Sequence, residues 1–372
     1  MTKRKLRLYR LAAAYLPRPK WLREAQKKQP SEFEGILRAH RTAGAQIVTF
    51  EGEKITSSLC YGIASLHDGE AQQVTPETCF RVASISKHIT AMAVLRLYQA
   101  GLIDPDADVD AYLPCSLRHP AAPDQPVTLR RLMSHTAGIH DGSAYATACM
   151  KPVPLSQLMK GDCFAAKPDG FEYSNLGAGI VACVLEGMMG KSFETLMQET
   201  LFKPHNIIAS FYPQTLSAPL ADAFRVMKRT SMPSLDSRSR HERPLPDGKP
   251  DPEMHYLLSQ GNLYISAQQL ARLGIELTRE RYAPMRRKVI AFGARDKDLT
   301  EGIGTFIVRP GVLCDKPIYG HQGLAYGAMH GLFYDPVSRR GAVLLTTGAS
   351  EAREGVLSDI NKAVMRKVFQ NV

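Results

Sequence analysis

FRVASISKHITAMAVL, residues 80–95, decides how this chain reads. Ser84 and Ser86 stand just before Lys87, with Ile89, Met92, Ala93 and Leu97 at helical spacing behind them and Gly101 as a stop. Alone, the stretch admits two readings. One is a serine helix cap with a chance lysine, because a bare Ser-x-x-Lys is expected on the order of once in a chain this long. The other is a nucleophilic serine with the lysine as its activator. Helical geometry separates the two serines. Positions i and i+3 share a face, so Lys87 can approach Ser84. Ser86 lies about 100° around the helix from Lys87 and cannot. A helix start also aims backbone N–H groups and a positive dipole end at any anion forming on Ser84. Burial of the lysine would lower its pKa and let it act as a base.

Outward from this stretch, GAQIVTFEG and KITSSLCYGIAS alternate and are β-branched, which predicts a hairpin turning at Glu51-Gly52-Glu53. Ser31 followed by Glu34 predicts a helix start before it. Residues 103–260 read as helical and loop-rich, with TLRRLMSH, GAGIVACVLEGMMG and SFETLMQETLF as helices. The Pro- and Ser-rich stretch 228–258 is expected to be a long surface loop that can serve as a lid. SAQQLARLGIELTRE is a further helix. From about 301, GIGTFIVR, KPIYGHQG, YGAMHGLFYD and GAVLLTTGA return to strands. A final amphipathic helix places Val356, Leu357, Ile360, Val364 and Val368 on one face. The expected architecture is α+β. An antiparallel sheet is built from both chain ends (31–75 and 260–372) and flanked by helices, with a mainly helical subdomain, 76–259, inserted.

The net charge of +11 suggests nucleic-acid binding until it is located. Residues 1–30 hold ten Lys/Arg and one acidic residue, Glu24, giving +9 and leaving +2 for the other 342 residues. The body is close to neutral, so no nucleic-acid partner is expected. The basic extension has an apolar run of only about six residues, Leu11–Leu16, and ends in Pro17-Arg18-Pro19-Lys20. It is therefore expected to be retained and the protein to be cytoplasmic. Either the arm lies on the protein's own surface, or it contacts an anionic membrane or polyanion. The seven cysteines are scattered and include no CxxC pair, which points away from a disulfide framework or zinc site. No metal and no cofactor is called for. DPDADVD (104–110) imitates an EF-hand start, but Val109 replaces the turn glycine and Cys115 stands where Glu is needed.

Two further motifs bear on Ser84. Residues 171–177 read FEYSNLG, where Tyr173 can be an ordinary interfacial tyrosine and Asn175 a helix cap. Residues 320–327 read GHQGLAYG, with Gly323 and Gly327 marking close backbone approach in strands. FRVASISK, then YSN, then HQG, in this order and widely spaced, resembles the three active-site motifs of the serine β-lactamase and penicillin-binding protein superfamily. The branch it resembles holds class C β-lactamases, D,D-peptidases, D-aminopeptidases and esterases. GLIDPDADVDAYLP, TLRRLMSHTAGI, LFKPHNI and GNLYISAQQLARL are similar to supporting stretches of that family. The likeness covers about residues 31–370.

The resemblance implies acyl transfer through a covalent acyl-enzyme. Ser84 would be the nucleophile, Lys87 its proton partner and Tyr173 a proton shuttle. Asn175 would bind substrate or position Lys87. His321 would fill the third-motif site where lactamases often carry lysine, as a group titrating near neutrality. Gly323 would flank the substrate, and the backbone N–H groups of Ser84 and Leu324 would form the oxyanion hole. Gln322 and Leu324 stand where penicillin-recognising members commonly carry hydroxyl residues. A serine hydrolase of small esters, amides or short peptides is expected, ahead of a weak β-lactamase or D,D-carboxypeptidase. The different-class alternative is a non-catalytic binding or scaffold member.

Overall fold

The computed structural model describes residues 33–67, 70–226, 231–233, 247–291 and 298–370. The basic arm lies outside them. Three strands near the start of the described chain are β1 (Gly44–Glu51), β2 (Lys54–His67) and β3 (Glu70–Gln73). Six near the end are β4 (Ile290–Ala291), β5 (Leu299–Glu301), β6 (Phe306–Val308), β7 (Ile318–Ala325), β8 (Ala328–Asp335) and β9 (Arg340–Thr346). Together they form one nine-stranded sheet in the order 3-2-1-9-8-7-6-5-4. The seam between the two chain ends is β1 against β9, antiparallel from Ala45↔Thr346 to Glu51↔Arg340.

Both faces of the sheet are covered, which is why the closing strands read as apolar runs rather than clean alternations. Val343 and Leu345 point into one core with Phe50 and with Leu270, Leu273 and Leu277 of α3 (Ala267–Leu277). Ala342 and Leu344 point into a second with Phe33 and Leu37, and with Ile360, Val364 and Val368 of α4 (Asp359–Gln370). The expected face of the last helix is present, but Val356 and Leu357 precede its start at Asp359. Strand structure also begins earlier than the expected 301, at Ile290 and Leu299.

The inserted region contains α1 (Ile85–Gln99) and α2 (Asn175–Met189). Helix α1 runs through the middle of the molecule and buries Ser86, Lys87, His88 and Thr90 as well as its apolar residues. Gly101, at φ +70°, ends it as the sequence predicts. Helix α2 is capped by Ser174, whose hydroxyl accepts from the Gly177 N–H, and stops at Gly190 at φ +64°. The cap is thus Ser174, not Asn175. The region is not purely helical: Phe80–Arg81 and Ala209–Ser210 both pair with Tyr264–Ile265. That small sheet ties the segment before Ser84 to the one that follows the 228–258 stretch.

The expected loop at 228–258 falls partly outside the described residues. Of the rest, Ser231–Pro233 pairs with Phe224–Val226. Tyr256, Leu257 and Leu258 are buried, and the Tyr256 hydroxyl donates to the Val153 carbonyl at 2.8 Å. The end of the stretch is therefore core, not mobile surface. All seven cysteines are free.

Candidate active site

Ser84 occupies the N-cap position of α1, yet its hydroxyl makes no capping bond. It is placed by a tight strand-to-helix turn in which Ala83 has φ +48°. A non-glycine residue in this region is strained. The Ser84 hydroxyl faces Lys87, whose Nζ lies 3.0 Å from Oγ. Ser86 is turned elsewhere: its hydroxyl donates to the Ala83 carbonyl at 2.7 Å and accepts from the Leu263 N–H at 3.1 Å. The choice of Ser84 over Ser86 agrees with this geometry.

Lys87 is buried and reaches three oxygens. Besides Ser84, its Nζ lies 2.8 Å from Asn175 Oδ1 and 2.6 Å from the Gln260 carbonyl. Burial lowers its pKa to about 7, with Arg81 acting in the same direction and Asp141 and Glu301 against it. A large part of Lys87 is therefore neutral at neutral pH, and a neutral amine can accept a proton.

Tyr173 completes the cluster. Its hydroxyl is hydrogen-bonded with Ser84, and burial holds its pKa well above the usual tyrosine value. Its ring lies 5.3 Å from Lys87 Nζ and packs at a tilt of 32° against His135 with centroids 4.3 Å apart. Nδ1 of His135 accepts from the Ser174 N–H at 3.2 Å. Burial, and then Lys87, lower its pKa to about 3, so His135 packs against Tyr173 as a neutral ring.

Strand β7 lines the other side. Gly323 is packed directly on Val82 and Ala83, with no room for a side chain. The backbone amides of Ser84 and Leu324 thus lie within a residue of that contact. His321 is buried and stacks on Phe306 with centroids 3.9 Å apart. Its Nδ1 donates to the Gln322 carbonyl at 2.6 Å, and its buried Nε2 has no hydrogen-bond partner among the described residues. Burial first, then the nearby Lys87, push its pKa well below 6.5. The expectation of a His321 charge titrating near neutrality is therefore wrong. The strand alternation explains why Gln322 does not join the site. Its side chain faces α4, donating to the Val356 carbonyl and accepting from the Ser358 N–H at 3.1 Å.

Sequence reasoning missed several contributors. Gln260 supplies a carbonyl to Lys87 from just before the supporting stretch that begins at Gly261. Glu301, fully buried on β5, faces Lys87 electrostatically, and burial raises its pKa well above the carboxylate range. Arg81 bonds to Asn262 at 3.0 Å and lies over the Tyr326 ring at 5.3 Å. Tyr326 itself has φ +58° in the β7–β8 turn, beside the third motif. Asp141 holds the start of α2. No spacing rule links it to YSN, because the contact depends on how the loop before α2 returns.

Ser84, the buried Lys87 and Tyr173 thus meet at the start of α1, beside β7. The chain belongs to the β-lactamase family: the Beta-lactamase family model matches residues 20–364. Members of this family are serine hydrolases. Penicillin-binding protein 4* of Bacillus subtilis (strain 168) is 27% identical over 181 residues, covering 46% of this chain and 38% of that protein. The chain thus matches well under half the length of that relative. Among solved structures it is similar to EstCE1, a hydrolase with promiscuous acyltransferase activity. There the TM-score is 0.70 at 19% identity, over 94% of this chain and 98% of that one. It is also similar to D-amino acid amidase from Ochrobactrum anthropi SV3 in complex with D-phenylalanine. The TM-score is 0.66 at 19% identity, over 94% and 99% of the two chains. At such identity these likenesses are likenesses of fold, the α+β β-lactamase-like fold.

Proposed function

We propose that this protein hydrolyses a small ester, amide or peptide bond through a covalent acyl-enzyme on Ser84. The observation that carries the reading is the 3.0 Å contact between Ser84 Oγ and a lysine whose pKa burial has brought to about 7. Neutral Lys87 takes the Ser84 proton as Oγ attacks the carbonyl carbon. The N–H groups of Ser84 and Leu324 stabilise the oxyanion. Tyr173 passes a proton to the departing alcohol or amine as the bond breaks, and water then releases the acid by the reverse sequence.

The substrate class follows from what surrounds the serine. His321 is neutral, Leu324 is apolar and Gln322 is engaged with α4, so the third motif offers no fixed cation and no hydroxyl pair for a carboxylate. This favours esters or amides of small molecules, including D-amino-acid derivatives, over β-lactams and D-Ala-D-Ala peptides.

Incubation with a fluorophosphonate probe and a p-nitrophenyl ester, read by intact mass and absorbance, tests it. Labelling at Ser84 with turnover is expected. A wild type that neither labels nor turns over would overturn the enzyme reading in favour of a scaffold.

A further inference from the structure

We infer, on the serine-hydrolase reading above, that Asp141 is a positioning residue: it fixes which way Asn175 faces, and through Asn175 the direction in which Lys87 presents its lone pair. Both carboxylate oxygens are engaged at the start of α2. Oδ1 accepts from the Ser174 hydroxyl at 2.8 Å and from the Leu176 N–H at 2.9 Å. Oδ2 accepts from the Asn175 backbone N–H at 2.9 Å and from Asn175 Nδ2 at 2.8 Å. A carboxylate only accepts, so the group of Asn175 that meets it must be the NH2. The amide oxygen is thereby turned toward Lys87.

A neutral amine has two N–H bonds and one lone pair. Asn175 Oδ1 and the Gln260 carbonyl are acceptors only, and both lie within 2.8 Å of Nζ. They take the two hydrogens, and the lone pair is left for the Ser84 hydroxyl. With Asn175 rotated by half a turn, its NH2 would donate to that lone pair and draw it away from Ser84. Asp141 excludes the rotated form, which would set a carbonyl oxygen against the carboxylate. The series Asp141–Asn175–Lys87–Ser84 is a nucleophile and base with the orienting group two steps out. The charged and titratable groups facing Lys87 are Asp141, Arg81 and Glu301, together with the neutral His135 and His321 and the Tyr173 ring.

Asp141→Asn tests this. The substitution keeps the shape, but each carboxylate oxygen accepts two bonds, so the new NH2 meets two donors whichever way it turns. Rates on a p-nitrophenyl ester are read per Ser84 site titrated with fluorophosphonate. In the variant kcat is expected to fall roughly 10²-fold, the lower end of what a general base contributes, with KM little changed. The acid limb of the kcat profile moves to lower pH, because the charge that favours protonated Lys87 is gone. Ser174→Ala is the structural control. It removes the helix cap and one of the four bonds to Asp141 but leaves the Asn175 amide held, so it should lose stability and keep the limb in place. Should Asp141→Asn not fold, Asp141→Ser, which retains a capping oxygen but cannot hold the amide, takes the same measurement. An unmoved limb with an unchanged rate per site would overturn the inference, as would Ser174→Ala shifting the limb equally. A wild type that does not label at Ser84 removes the hydrolase reading itself, so the two failures are distinct.

Discussion

Gly323 sits so close to Val82 that a β-carbon on it would lie 2.1 Å from the Val82 carbonyl oxygen and 3.3 Å from the Ala83 β-carbon. The third-motif strand and the turn that presents Ser84 are thus in direct backbone contact. Gly323→Ala must push them apart by about an ångström. Overpacking of this kind costs about 1–3 kcal/mol. A displacement of that size between a nucleophile and an oxyanion donor costs roughly 10²-fold in kcat. The variant is expected to fold, with a lowered urea midpoint, and to label with fluorophosphonate far more slowly than wild type.

On the proposed mechanism the acid limb of activity is expected to follow Lys87 and not His321. Lys87 acts as a base only when neutral, so kcat/KM should rise with pH through about 7 and then level off. His321 stays neutral across that range, because burial lowers its pKa well below 6.5. His321→Gln should change the rate but leave the limb where it is. The limb would move if an imidazolium there were the titrating group. Pre-steady-state labelling rates between pH 5 and 9 for both proteins decide between the two.

Ser84 and Ser86 are separated by their contacts even though they are neighbours. Ser86 is wholly buried and holds two backbone groups, the Ala83 carbonyl and the Leu263 N–H. Ser86→Ala leaves the Leu263 N–H without its partner, at a cost of about 1–3 kcal/mol. Its labelling per folded molecule should persist. Ser84→Ala should abolish labelling; it uncaps no helix N–H, so its stability cost is confined to the Lys87 and Tyr173 groups that lose a partner. Intact mass after labelling and urea midpoints measure both effects.

These contrasts show what the sequence could carry. That Lys87 meets Ser84 rather than Ser86 followed from helical spacing, because one turn of helix fixes both, whereas a role for the pair came only with the family resemblance. The two-ended sheet was legible because β1 and β9 are strongly patterned and the region between them is not. What escaped depends on contacts across the chain. Asp141 meets Asn175 only after a loop has returned, and Gln260 contributes a backbone carbonyl, which no residue type announces. His321 was misjudged because its motif position suggests a role, whereas its protonation depends on burial between Phe306 and Lys87. The same limit applies to Gln322, whose side chain is claimed by Ser358 and the start of α4.

Stability should fall steeply in mild acid for a reason that carboxylates do not supply. His135 and His330 are fully buried, and burial lowers both pKa values to about 3. In each ring Nδ1 accepts a backbone N–H, from Ser174 at 3.2 Å and from Thr346 at 3.2 Å. Protonation would set a donor against a donor. The unfolded chain takes up these protons near pH 6.5, whereas the folded one resists until about pH 3. Between those values the unfolded state binds more protons, so stability falls as pH falls. At pH 5 the loss is about 2 kcal/mol for each ring by this linkage. Urea midpoints at pH 7, 6 and 5 should therefore drop at each step, the fall starting above the range where ordinary carboxylates titrate and continuing toward pH 3. His330→Phe should flatten part of that slope, and a variant that keeps the full slope would show that His330 stays unprotonated in the unfolded chain or is not buried.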